Sequence, residues 1–189
     1  MAAATQQQAR TITSEDHGKL DIRALVLLAV LLAAGFILNF TVGKAISSVS
    51  GGMISPEFII SAFCLTILVV RPNVGQALII GLISAAVIQI TTTAPFVDFA
   101  AEGISAMLMS LIVAAGMKGS IRKATPAVGT FVTTVVSGVI FMLIRIAMVG
   151  AAAQLAAAML PVVFATAVFN AILVQALYYP ICKALKVAA

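Results

Sequence analysis

Long apolar runs recur along this chain, separated by short breaks that are polar, basic or rich in Gly and Pro. A helix needs about 20 mostly apolar residues to cross a hydrocarbon layer of about 30 Å. The pattern therefore predicts an all-α integral membrane protein of six transmembrane helices. The first covers about Ile22 to Gly43. The second, about Glu57 to Val70, is short for a perpendicular span, and Arg71-Pro72-Asn73 turns tightly into a third helix over about Val74 to Thr92. A fourth runs from Asp98, whose carboxylate suits a helix N-terminus, to about Met117. The fifth extends from Pro126, a residue that fits a first helical turn, to Val149. The sixth reaches from about Ala157 to Ile181, and Ala151 to Ala158 reads equally as a helical extension or a short loop.

The breaks divide the chain into a polar tail over residues 1–21, a transmembrane domain over 22–182 and a short tail over 183–189. The first tail has no apolar core of the kind a cleaved secretory signal requires. Lys44 to Pro56, with its serines, paired glycines and closing proline, reads as a flexible loop. Lys and Arg concentrate in cytoplasmic loops close to helix ends. Six crossings with both termini cytoplasmic place Arg10, Lys19, Arg23, Arg71, Lys118, Arg122, Lys123, Lys183 and Lys186 inside, and only Lys44 and Arg145 towards the outside. A count of five or seven helices would scramble this partition.

Composition agrees with the pattern. Apolar residues make up 62% of the 189 positions and charged residues 9%, against about a quarter charged in soluble domains. The net charge of +5 is scattered between apolar spans and forms no continuous patch for nucleic acid. No Gly-x-x-x-x-Gly-Lys-Ser/Thr loop is present, so any ATP chemistry belongs to a partner and no cofactor is expected in this chain. Cys64 and Cys182 give neither a disulfide framework nor a metal spacing, and His17, the single histidine, has no other imidazole to join it on a metal. An enzyme is not expected, because no metal cluster or Ser/Lys pair in a convincing setting is visible.

Polar groups in hydrocarbon are candidates for a functional site, because they are costly unless paired or facing a cavity. Here they gather towards the outer half: Asn39 and Lys44 on the first helix, Glu57 on the second, Gln89 and Thr91 to Thr93 on the third, Asp98 and Glu102 on the fourth, and Arg145 on the fifth. Asn170 and Gln175 lie nearer the middle and inner half of the sixth. One reading is an outward pocket for a zwitterion. Arg145 would grip a carboxylate and Glu102 or Asp98 would meet a positive group, with Thr92, Thr93, Asn39 and Asn170 as further ligands. The other reading pairs Arg145 with Glu102 or lets it snorkel, and leaves the threonines bonded to their own helix backbone. Lys44 and Glu57 read as boundary residues. Ala29 and Ala33, at the spacing of four that permits close helix contact, are a candidate packing or docking surface.

The size, the six-helix layout, the short tails, the Ser/Gly-rich first outer loop and the helix 1 alanines together resemble the substrate-binding S components of energy-coupling factor transporters. Within that superfamily, Ile90-Thr91-Thr92-Thr93-Ala94-Pro95-Phe96 looks most like the tryptophan-transporter branch, although Val97-Asp98 stands where that branch has a Pro-Gly-Gly-like continuation. The resemblance implies a receptor in the bacterial cytoplasmic membrane that captures an amino acid or vitamin, tryptophan first. It also implies partners: a transmembrane coupling subunit, docked on Ala29 and Ala33, and two ATPase subunits that use ATP. By the same likeness, Lys44 to Pro56 would close over the solute. Lipid is the remaining partner, and no nucleic acid is expected. The competing class is a structural or assembly membrane protein that transports nothing.

Overall fold

The computed structural model describes residues 20–52, 56–92, 94–118, 121–150 and 152–187. Its helices are α1 (Ile22–Leu38), α2 (Lys44–Val49), α3 (Phe58–Val70), α4 (Val74–Ile88), α5 (Val97–Gly116), α6 (Thr125–Val149) and α7 (Ala152–Leu185), and a π-helical turn, Asn39–Gly43, joins α1 to α2 without a break. The apolar runs thus fold as helices within a few residues of their expected limits. Ala152 onward is helical, which decides between the two readings of that stretch in favour of extension.

One sequence expectation changes and a second is met in part. The expected loop from Lys44 begins as helix, and the chain leaves it only at Gly51 and Gly52, both at positive φ, where the Gly52 amide donates back to the Ser47 carbonyl at 2.7 Å. That left-handed exit is the usual role of glycine after a helix. Residues 53–55 of the same stretch lie outside the described residues. Second, among the described residues four stretches are by themselves long and apolar enough to cross a membrane, namely Ile22–Val49, Val97–Gly116, Thr125–Val149 and Ala153–Leu185. The helices α3 and α4 are equally apolar but only 13 and 15 residues long, about 20 and 22 Å at 1.5 Å per residue.

The shorter of the two occupies the centre. Every residue of α3 from Phe58 to Val69 is buried, and α3 touches α1, α4, α5, α6 and α7. A helix that is apolar on all sides belongs inside a bundle, where its neighbours replace the lipid. The periphery is apolar as well: Val30, Ile172 and Leu143 are exposed on α1, α7 and α6, while Ser84, Ser105, Thr130, Thr133, Ser137 and Asn170 are buried. Exposed apolar surface of this extent suits a hydrocarbon surround rather than water, and the protein is membrane-embedded in character.

Glycines bring the helices together where backbone meets backbone. A Cβ on Gly81 of α4 would stand 2.6 Å from the carbonyl oxygen of Glu102 in α5, and one on Gly35 of α1 would stand 3.0 Å from that of Phe58. The two ends of the bundle then differ. At one end, Leu20, Ile181 and Val187 pack on the core beside Val69, Met117 and Tyr178, near the basic turns Arg71-Pro72-Asn73 and Lys118 to Lys123. The other end holds Asn39, Glu57, Asp98 and Glu102 around a cavity.

Candidate functional site

The cavity exists because α3 stops short. Its neighbours α6 and α7 have 25 and 34 residues, about 38 and 51 Å. Anchored at Arg71, α3 leaves the opposite part of the bundle axis unfilled. The space is about 400 Å³, in the size class of sites for small organic molecules, about 300–1,000 Å³. Glu57 and Ile60, from the start of α3, form part of its wall. Asn39 contributes from the π-helical turn, Ile88, Thr91 and Thr92 from the end of α4, and Asp98 and Glu102 from the first turns of α5. The long helices supply Thr134, Ser137, Gly138 and Phe141 from α6, and Met159, Val162, Val163 and Thr166 from α7.

Each carboxylate is placed by a specific local arrangement. A helix start leaves amide donors without intrahelical partners, and α3 solves this with a side chain from another helix. Asn39 Oδ1 accepts from the Phe58 amide at 2.7 Å, and its Nδ2 donates to Glu57 Oε2 at 3.3 Å. Asn170, fully buried on α7, donates to the Glu57 carbonyl at 3.3 Å and to Thr134 Oγ1 at 3.4 Å. Gln89, just past α4, bridges the next turn, donating to Asp98 Oδ2 at 3.3 Å and accepting from the Phe96 amide at 2.9 Å. Thr92 Oγ1 accepts from the Ala94 amide at 3.2 Å. Four residues beyond Asp98, and hence on the same helix face, Glu102 is 3% exposed, and its Oε1 accepts from Ser137 at 3.0 Å. Its other oxygen, Oε2, is buried with no hydrogen-bond partner.

No family model, curated protein or solved structure matches this chain. The cavity itself must therefore carry the functional argument. After Asp21 the sequence holds three acidic residues, Glu57, Asp98 and Glu102, and all three line this one space. They lie close enough to act on one another electrostatically. Among the described residues no Lys, Arg or His lines it, so the charged groups of the described wall are all acidic. The remainder is apolar, with Ile60, Ile88, Phe141, Met159, Val162 and Val163 forming a surface on which a hydrocarbon or aromatic body can rest.

Of the residues singled out in the sequence, Asn39, Thr92, Asp98 and Glu102 meet in the cavity. Asn170 stands behind the wall as a brace. Thr93 lies outside the described residues. Arg145 is half-buried on α6, one turn beyond Phe141, and is not part of the lining. Neither oxygen of Glu102 is bonded to it, so neither the carboxylate grip nor the pairing with Glu102 has a counterpart in this wall. Thr91 bonds its own backbone, donating to the Ile88 carbonyl at 3.3 Å. Ala29 and Ala33 are exposed on α1, away from the buried stripe of Ala24, Leu28, Leu32 and Gly35. Lys44 places its ammonium 3.9 Å from the centre of the Phe40 ring.

Sequence reasoning missed Glu57 as a wall residue and missed Thr134 and Ser137 altogether. The signal for the latter pair was available. Thr130, Thr133, Thr134 and Ser137 recur at helical spacings of three and four within an apolar run, and all four are buried, which marks one face of α6 as turned inward.

Proposed function

We propose that this chain is the solute-binding subunit of an energy-coupled importer of the bacterial cytoplasmic membrane, of the S-component kind. It would work with a transmembrane coupling subunit and two ATPases. In this reading all six apolar helices lie within the membrane, both termini are cytoplasmic, and the cavity faces outward. The observation that carries the reading is the cavity, a space of about 400 Å³ lined by convergent polar side chains at the end of the bundle opposite the basic turns. That is where a solute would arrive if the basic turns are cytoplasmic.

The chain has no catalytic part in this proposal. It holds the solute, and ATP hydrolysis in the partners drives release. A small amino acid or vitamin fits the space, with tryptophan the first to assay. The exposed Ala29 and Ala33 offer the coupling subunit a flat strip of α1 where helices can approach closely.

Two measurements test the proposal. Equilibrium binding to the purified chain in lipid nanodiscs should reveal a saturable site for a small amine-bearing solute, and native mass spectrometry of gently extracted protein should show the solute retained together with partner subunits. Replacing Ala29 and Ala33 by leucine should abolish co-purification of the coupling subunit and spare solute binding. The absence of saturable binding to any small solute would refute the receptor reading and favour a structural or assembly role.

A further inference from the structure

The three carboxylates of the cavity are not equivalent. Glu57 is held by Asn39, and Asp98 by Gln89. Glu102 uses one oxygen on Ser137, while the other, Oε2, is buried without a partner. A carboxylate offers about four acceptor positions on its two oxygens, and a buried acceptor left unmatched is destabilising. The backbone at Glu102 packs closely on α4, where a Cβ on Gly81 would stand 2.6 Å from its carbonyl oxygen. Glu102 therefore brings to the cavity wall an acceptor oxygen for which the protein supplies no donor.

The charge balance specifies the donor further. Every acidic side chain after Asp21 lies on this wall and, among the described residues, no basic one does, so the space favours positive charge. Among the described residues, no three of His, Cys, Asp and Glu stand close enough together to hold a metal ion. The acidic groups are spread along the wall instead of being focused on one point. On the same cavity, Phe141, Met159, Val162 and Val163 offer apolar surface.

We infer that the ligand of this cavity is an amphiphilic organic cation, an amine-type head on an apolar body, and that Glu102 Oε2 accepts a hydrogen bond from the charged head. The inference rests on the receptor reading above and narrows its substrate class. Glu57 and Asp98, already hydrogen-bonded, contribute field more than direct contact, and the apolar wall takes the body. A zwitterion binds less well than the matched amine, because its carboxylate meets an acidic wall without a cation to receive it.

The test uses two matched series on the full chain in nanodiscs: tryptamine, tryptophan and indolepropionate, then phenethylamine, phenylalanine and phenylpropionate. Within each series the apolar body is constant and only the charge changes. The amine should bind most tightly, the zwitterion about tenfold or more weaker, a difference of about 1.4 kcal/mol, and the anion without saturation. Glu102→Gln should lower amine affinity about tenfold or more and narrow the gap between amine and zwitterion. Anions binding as tightly as amines, or an unchanged amine affinity in Glu102→Gln, would overturn the inference and leave the receptor reading standing. No saturable binding by any of the six would overturn the inference, whereas the receptor reading falls only if native mass spectrometry also finds no retained solute. The ranking on the unmodified chain decides the matter even where the variant does not fold.

Discussion

At the basic end of the bundle most polar groups are spent on structure, with the Tyr178 hydroxyl left buried and unpartnered; at the acidic end it is a carboxylate oxygen of a cavity-lining residue that is left over. Gln175 accepts from the Ala127 amide at 3.1 Å and donates to the Lys123 carbonyl at 3.2 Å, tying α7 to the start of α6. Asn73 and Gln76 exchange hydrogen bonds in a capping box at the start of α4, and Ser110 donates to the Pro72 carbonyl at 2.8 Å. Around the cavity, Asn39, Gln89 and Ser137 do similar work, yet Glu102 Oε2 and Asn170 Oδ1 remain buried without partners. Polarity inside an apolar bundle does not by itself mark a site. Unused hydrogen-bonding capacity on a residue that lines a volume, as on Glu102, does.

This contrast can be broken experimentally, starting with the tightest contact. Gly81→Ala forces a methyl against the Glu102 carbonyl, so α4 and α5 must separate. A loss of about 3 kcal/mol is expected, read as a lowered thermal unfolding midpoint in detergent. Unchanged stability would mean that this wall yields easily. Asn39→Ala removes the acceptor of the Phe58 amide and the donor to Glu57, and should lower stability by about 2 kcal/mol. Asn39→Asp restores the acceptor but sets a second carboxylate beside Glu57, and recovers only part of that loss.

Glu102→Gln sharpens the comparison by separating stability from binding. Replacing a buried carboxylate that lacks a full set of partners should leave the ligand-free protein as stable or more stable, by about 1 kcal/mol. Amine affinity should fall in the same variant. A destabilised variant would show that Glu102 serves the fold in the way the basic-end residues do. Gln175→Ala should do the reverse, lowering stability by about 1 kcal/mol with no change in binding by isothermal titration. A change in affinity there would show that the two ends communicate.

Much of this architecture was legible in the chain, because the hydrophobic runs and the turns at Arg71-Pro72-Asn73 and Lys118 to Lys123 report helices and their ends directly. The Ser-Ser-Val-Ser-Gly-Gly stretch misled, since its serines read as loop while α1 carries its helix on through the π-helical turn. Depth was less legible. Sequence places a helix start at Glu57 but cannot say that the start lies inside the bundle, which depends on the lengths of helices distant in sequence. For the same reason Asp98 and Glu102 were recognisable as candidates, whereas Arg145, one turn past the last lining residue of its helix, was not distinguishable from a wall residue. The unpartnered Glu102 oxygen is a tertiary property, since the oxygen that does bond reaches Ser137 on another helix.

The shortness of α3 makes the site a matter of length rather than of side-chain carving. Adding one turn at its N-terminus would advance the floor by about 5.4 Å, and deleting one would withdraw it as far. In either case an acidic residue could be kept at the helix tip. Such a bundle has an adjustable gauge at its centre. The volume of the cavity can drift through insertions and deletions of a few residues between Gly52 and Phe58, while the outer helices stay as they are.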